Sequence, residues 1–311
     1  GPDIVRALHA HDPQGELRVL TRTPRKTFLD LQALERVQWT RGELTQPESF
    51  AEYLAGVDTV IHNAAMVSFA KADAQKVFDS NVIGARNLAQ AARAAGCRNF
   101  IFISSISALD FRPPQIADET FFPDLELKRK FDIYGYTKRL SEIELGEMKD
   151  DMRVVILNPS VILGPGSERI QAAVGAIRKF PILPTLDYVN AFVDARDAAR
   201  AVTLSLTKGR SGERYIVSAH NVRMAEFTRA VVRALGKNTP VFPLSPAGVK
   251  LADGLVALLD ILNLNPGLRR PSQMNVDKPC SYEKIKAEMG WEPAFTLEES
   301  IRDSISGEIG K

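Results

Sequence analysis

Tyr134 and Lys138 stand four residues apart in the stretch Tyr134-Gly135-Tyr136-Thr137-Lys138, a spacing that puts both on one face of a helix. A phenol free in water has a pKa of about 10 and exchanges protons poorly at neutral pH. A Lys ammonium held beside it favours the phenolate and draws that value down. Such a pair can pass a proton to or from a substrate oxygen. The same spacing is common on solvated helices, so the pair gains meaning only from the elements that position it.

The chain has 311 residues, enough for one large α/β domain or two interleaved ones. It is 45% hydrophobic and 25% charged, as an ordinary globular protein is. Forty basic against 38 acidic residues leave a net charge of +2, which points to neither nucleic acid nor an acidic membrane. The two cysteines, Cys97 and Cys280, lie in no CxxC. They suit a reducing, cytoplasmic setting with no disulfide framework and no metal cluster. No signal peptide and no apolar run of membrane-spanning length is visible.

In chain order, Asp3 to His9 reads as a helix behind Gly1-Pro2. Gly1 is either the last glycine of a Gly-rich turn that would cradle a pyrophosphate, its feeding strand lying upstream, or part of a protease scar. Leu17 to Thr21 alternates like a strand, closed by Arg22, with Thr23, Arg25 and Lys26 beyond. In a dinucleotide-binding fold an Arg at this place favours a 2′-phosphate, hence NADP. A helix (Leu29 to Arg36) and a strand (Val37 to Arg41) follow, then Gly42-Glu43-Leu44, where Glu43 either accepts from an adenine amino group or starts the next helix. Asp58 to His62 is nearly all apolar, as a doubly covered parallel strand should be. It ends in Asn63-Ala64-Ala65, whose small side chains let a ligand approach the backbone, and His62 is read as packed rather than catalytic.

Asn81 opens a long helix running to Ala95, and Phe100 to Ile103 is a strand with Ser104-Ser105 at its C-terminal end. Alternating strands and helices argue a parallel doubly wound sheet. Ligands of such sheets sit beyond the carboxyl ends of the strands, where Asn63, Ser104 and Ser105 are placed. The Tyr134 helix continues to about Lys149, and Val154 to Leu157 is a strand ended by Pro159. Asp197 is read as a helix cap, and Val249 to Leu262 as an apolar helix, either core or a wall over a hydrophobic substrate.

Together these residues give the chain a resemblance to the extended short-chain dehydrogenase/reductases, a group that includes nucleotide-sugar epimerases, dehydratases, dihydroflavonol reductases and 3β-hydroxysteroid dehydrogenases. The resemblance is carried by Gly42-Glu43-Leu44, by Asp58 to Ala65, by Asn81-Val82-Ile83-Gly84 with Asn87-Leu88, and by Ser104-Ser105. Tyr134 with Lys138, Asn158-Pro159-Ser160 leading to Gly164-Pro165-Gly166, and Ser281 to Trp291 with Pro293 complete it. It spans nearly the whole chain and departs only at the front, where the Gly-rich motif is reduced to Gly1.

The resemblance implies Ser105 as the donor to a carbonyl oxygen, Tyr134 as proton donor, Lys138 on the nicotinamide ribose, and Asn81 in support of a proton relay. It implies that Pro159, Ser160, Val161 and Ile162 face the nicotinamide. It further implies a dimer paired through the Asn81 and Tyr134 helices, and that residues 169–187 line the substrate side. The cofactor fold is expected over residues 1–160, its N-terminal strand and Gly-rich turn missing, and a smaller substrate part over 161–311, with 189–218 returning to the core. The leading expectation is an NADP-dependent oxidoreductase acting on a secondary alcohol or ketone. One alternative is a nucleotide-sugar epimerase or dehydratase that retains NAD, for which Arg269 and Arg270 would be a diphosphate clamp. The other is a non-catalytic NADP-sensing protein.

Overall fold

The computed structural model describes residues 1–22, 31, 34–68, 70–261 and 270–309. The helix expected from Leu29 to Arg36 falls mostly outside them, as do Thr23, Arg25, Lys26, Leu262 and Arg269. The strands are β1 (Leu17–Thr21), β2 (Val37–Arg41), β3 (Thr59–His62), β4 (Asn99–Ile103), β5 (Arg153–Pro159), β6 (Val161–Leu163), β7 (Leu183–Thr185), β8 (Val189–Asp194), β9 (Arg214–Val217), β10 (His220–Arg223) and β11 (Val241–Pro243). The helices that matter below are α1 (Pro2–His11), α2 (Gly84–Ala94), α3 (Ile133–Gly146), α4 (Glu168–Lys179), α5 (Ala195–Ser205), α6 (Met224–Ala234), α7 (Pro246–Ile261), α8 (Glu283–Met289) and α9 (Leu297–Ile309).

A four-stranded parallel sheet, in the order β3-β4-β5-β9, carries the site. The central stretches Phe100 to Ile103 and Val154 to Leu157 are apolar at every position because both faces are covered. Phe100, Phe102, Val154 and Ile156 meet Ala85, Leu88 and Ala92 of α2 and Leu145 of α3 on one face. Ile101, Ile103, Val155 and Leu157 meet Ala201 and Val202 of α5 and Met289 and Trp291 on the other, with Ile4 of α1 packed beside them. Period-two alternation along each strand thus sends successive residues into two separate cores. The parallel pair β1-β2 stands as its own two-stranded sheet among the described residues.

The smaller part gathers α4, α6 and α9 around Ile170, Phe227 and Ile301, with the Phe192 and Phe227 rings stacked 4.6 Å apart. Segment 189–218 divides between the two parts. β9 pairs with β5 and α5 packs on the large sheet, but β8 pairs with β6 and β10 in a three-stranded sheet of its own. An apolar strand fits a buried place in either sheet, so its composition did not decide between them.

Two local expectations also change. Asn81 lies inside a continuous helical run, in a π-helical turn, Asp79–Ile83, between a short helix at Ala74–Phe78 and α2. Such turns recur at functional sites. Asp197 does not cap α5. Asp194 does so by accepting from the Arg196 N–H at 2.8 Å, while buried Asp197 accepts from the amides of Ala294 and Phe295. No helix among the described residues is long and apolar enough to cross a membrane.

Candidate active site

β4 ends at Ile103, and the next two residues face opposite ways, as neighbours in extended chain do. Ser105 caps the short turn Ile106–Ala108, its Oγ accepting from the Ser107 N–H at 3.1 Å. With an acceptor site so used, its own proton remains to be given. Its other partner is Tyr134, whose phenol forms a side-chain hydrogen bond with Ser105. α3 is started by Asp132, whose Oδ1 accepts from the Gly135 N–H at 3.0 Å, so Tyr134 lies in its first turn. Lys128 Nζ ties the Ser105 turn to the same place, donating to the Ser107 carbonyl at 2.7 Å and lying 3.3 Å from Asp132.

One turn on, Lys138 is buried. Its Nζ donates to the Ile103 carbonyl at 2.8 Å and sits 4.7 Å from the centre of the Phe102 ring. Burial lowers its pKa to about 8, with the Glu142 carboxylate opposing the fall. Burial raises Tyr134, the Ser105 hydrogen bond opposes that rise, and the Asp132 charge adds to it. The lowering expected of Tyr134 from Lys138 is therefore not found, and the phenol is held protonated at neutral pH. Spacing put the two side chains on one face, but the ammonium is spent on a strand carbonyl. His62, against Phe102 at 5.5 Å, is lowered to about 3 by burial and then by the Lys138 charge, which makes it a neutral packed residue.

The neighbouring candidates are occupied. Ser104 Oγ donates to Glu142 Oε1 at 2.6 Å, so its side chain turns away from Tyr134. Asn81 Oδ1 accepts from the Met66 N–H at 2.7 Å, and its Nδ2 donates to the Met66 carbonyl and to Thr137 Oγ1. Its own carbonyl accepts from Ser141 at 3.0 Å. Asn81 is thus a clamp between the segment after β3 and α3.

Beyond the strand ends lies a cavity of about 280 Å³, lined among others by Gly1, Asn63, Ile103, Pro159, Ile162 and Gly164. Pro2, Asp3 and Ile4, at the start of α1, line it as well. Ser160, next to Pro159, has a buried hydroxyl with no partner. Val161 and Ile162 begin β6, with Ile162 42% exposed. Ala64 and Ala65 are exposed beside Asn63. Arg22 follows β1 and Glu43 follows β2, with Nη1 and Oε2 3.9 Å apart, Arg22 largely in solvent and Glu43 partly so. Leu44 is fixed through its carbonyl by Asn87 Nδ2 at 2.9 Å. A cavity at the strand ends, an orphaned hydroxyl and an exposed guanidinium beyond β1 fit a dinucleotide.

A model of the NAD dependent epimerase/dehydratase family matches residues 1–218. The chain belongs to that family. It is 30% identical to sterol demethylase protein B of Methylococcus capsulatus, over 88% of this chain and 82% of that one. It is 25% identical to a 3-beta-hydroxysteroid dehydrogenase of Mycolicibacterium neoaurum, over 93% and 84% of the two chains. Among solved structures, DesIV, a dTDP-glucose 4,6-dehydratase of Streptomyces venezuelae with NAD and TYD bound, superposes with a TM-score of 0.80 at 20% identity, over 100% of this chain and 94% of that chain. As a member of this epimerase/dehydratase family the chain is an NAD(P)-dependent enzyme of the short-chain dehydrogenase/reductase superfamily.

The fold adds residues that the sequence did not single out for the site. Gly135 lets α3 close on the Ser105 turn, and Asn158 Nδ2 donates to the Ser105 carbonyl at 3.0 Å. The glycine between two tyrosines was the available signal for the first. The apolar helix α7 turns Val249 and Val256 inward but leaves Leu251, Leu255, Leu258 and Ile261 exposed, and none of its residues lines the cavity. Arg270 precedes the short helix Pro271–Met274 and is exposed.

Proposed function

We propose that this chain is an NADP-dependent oxidoreductase interconverting an apolar ketone and its secondary alcohol, with Tyr134 as general acid/base. The observation that carries this reading is the hydrogen bond between Ser105 and a Tyr134 phenol kept protonated by burial. NADP(H), when bound, supplies or accepts the hydride. Tyr134 holds the proton that a ketone oxygen needs on reduction. Ser105, its Oγ already accepting from the Ser107 N–H, donates to the same oxygen as charge builds there. Lys138 brings a positive charge to the end of β4, which favours the phenolate left after transfer. Gly1, Asn63, Ala64, Ala65, Leu44 and Pro159 to Ile162 frame the dinucleotide through backbone and small side chains, and Arg22 takes the 2′-phosphate.

The sterol and hydroxysteroid names of two relatives support an apolar substrate. The test is NADPH oxidation by the full-length protein with a panel of 3-ketosteroids and aliphatic ketones, run beside UDP-sugars. Turnover of apolar ketones is expected, rising with their apolar size. Tight UDP-sugar binding without ketone turnover, or NAD released from the denatured pure protein, would replace this reading with a cofactor-retaining epimerase or dehydratase.

A further inference from the structure

Four residues beyond Lys138 on α3, Glu142 is buried and its two carboxylate oxygens face different partners. Oε2 takes the expected counter-charges, Arg139 Nη1 at 3.0 Å and Arg214 Nη1 at 3.3 Å. These guanidiniums lie over the Phe122 ring, 4.8 and 4.6 Å from its centre. Oε1 instead accepts from Ser104 Oγ at 2.6 Å and from Asn158 Nδ2 at 2.5 Å. The Asn158 amide passes the contact on, donating to the Ser105 carbonyl at 3.0 Å. Both of its neighbours there are acceptors, so its NH₂ group must face them, and its own Oδ1 has no partner. Glu142 and the Ser105 carbonyl therefore set its orientation. Ser105 is gripped by one carboxylate oxygen from two directions: through the preceding residue in the chain and through the neighbouring strand.

We propose that Glu142 is a positioning residue for Ser105, holding the end of β4 and Asn158 so that the Ser105 hydroxyl meets Tyr134. The inference rests on the reading of Ser105 and Tyr134 given above. An ion pair serving stability alone needs only the guanidinium-facing oxygen. A buried polar network of this kind is worth most when every member is satisfied, and it specifies one arrangement. Glu142 has a second consequence, because its charge opposes the fall of the Lys138 pKa. The groups facing Lys138 are His62 from β3, the Ile103 carbonyl and Phe102 ring from β4, and Glu142 on α3. Those around Glu142 are Arg139, Arg214, Ser104 and Asn158, with the Glu119 carbonyl on the far side of Arg214.

The test is steady-state kinetics of Glu142→Gln in the full-length protein, with NADPH and the best ketone of the panel. Misplacing a catalytic group by about 1 Å can cost on the order of 100-fold. A fall in kcat of about 10- to 100-fold is expected, with KM for NADPH within about twofold. The alkaline limb of the kcat–pH profile should move to lower pH, because Lys138 loses the anion that keeps it charged. A lower melting temperature with an unmoved pH profile and unchanged kcat would assign Glu142 to structure alone and overturn the proposal. A double-mutant cycle removes any dependence on that variant's folding. Ser104→Ala should lower kcat alone and add nothing to Ser105→Ala, since it acts through Ser105. Additive losses overturn the proposal. The underlying reading fails separately: full activity in Ser105→Ala or Tyr134→Phe would remove it, and this inference with it.

Discussion

A β-carbon at Gly135 would collide with the backbone carbonyl of Ser107 and with the Asp132 carboxylate. That close approach sets Tyr134, the preceding residue on α3, beside Ser105, two residues before the obstructing carbonyl. Gly135→Ala should therefore push α3 off the Ser105 turn. Overpacking of this kind costs roughly 1–3 kcal/mol. Turnover should drop by on the order of tenfold or more as the two hydroxyls separate. Thermal melting and kcat measured together check this, and an alanine variant with unchanged kcat would show that the contact does not position Tyr134.

Arg22 is the charge proposed to take a 2′-phosphate. Its exposed 3.9 Å pairing with Glu43 is of the weak kind that solvent screens, so the guanidinium can leave it. Hydrogen bonds to a charged group contribute about 1.5–3 kcal/mol. Arg22→Asp should weaken NADPH binding by at least about tenfold and spare NADH. Fluorescence titration of the full-length protein decides it, and NADH bound as tightly as NADPH by the unmodified protein would contradict the assignment.

What could be read in the sequence, and what could not, follows from the range of each interaction. Phe100 to Ile103 and Val154 to Leu157 were legible as strands because burial on both faces leaves them no polar position. Asp3 to His9 and Tyr134 to Lys138 were legible as helices, and Ser104-Ser105 as a strand end, from local pattern alone. Which serine faced Tyr134 was not local, since it depended on Glu142, 38 residues away, drawing Ser104 inward. The rise of the Tyr134 pKa was equally hidden: spacing gives a shared face, but neither depth nor the carbonyl that captures Lys138. Apolar composition marked α7 as a helix without saying that Leu251 and Leu255 would face outward.

His62 carries a consequence for stability. Folding holds its pKa at about 3, against about 6.5 in an unfolded chain. A group lowered in this way binds fewer protons folded than unfolded between those values. Its contribution is present above about pH 6.5 and is lost as pH falls toward 3. Between pH 7 and 5 this amounts to about 2 kcal/mol. His62→Phe keeps a ring against Phe102 and removes the titration, so its stability should change less over that interval. Urea unfolding at the two pH values checks it, and equal losses in both proteins would contradict a neutral, buried His62.

The measurement that bears most directly on the chemistry is ketone turnover by Tyr134→Phe. The variant keeps a ring of nearly the same volume, so the fold should stand. General acid–base catalysis supplies about 10²- to 10⁴-fold, and kcat should fall by about that factor with NADPH affinity little changed. Ser105→Ala should cost rate mainly, and Lys138→Met both rate and cofactor affinity. Tyr136, two residues on, points elsewhere on α3, and Tyr136→Phe should be nearly silent. Turnover preserved in Tyr134→Phe and abolished in Tyr136→Phe would contradict the assignment of Tyr134 as the acid/base.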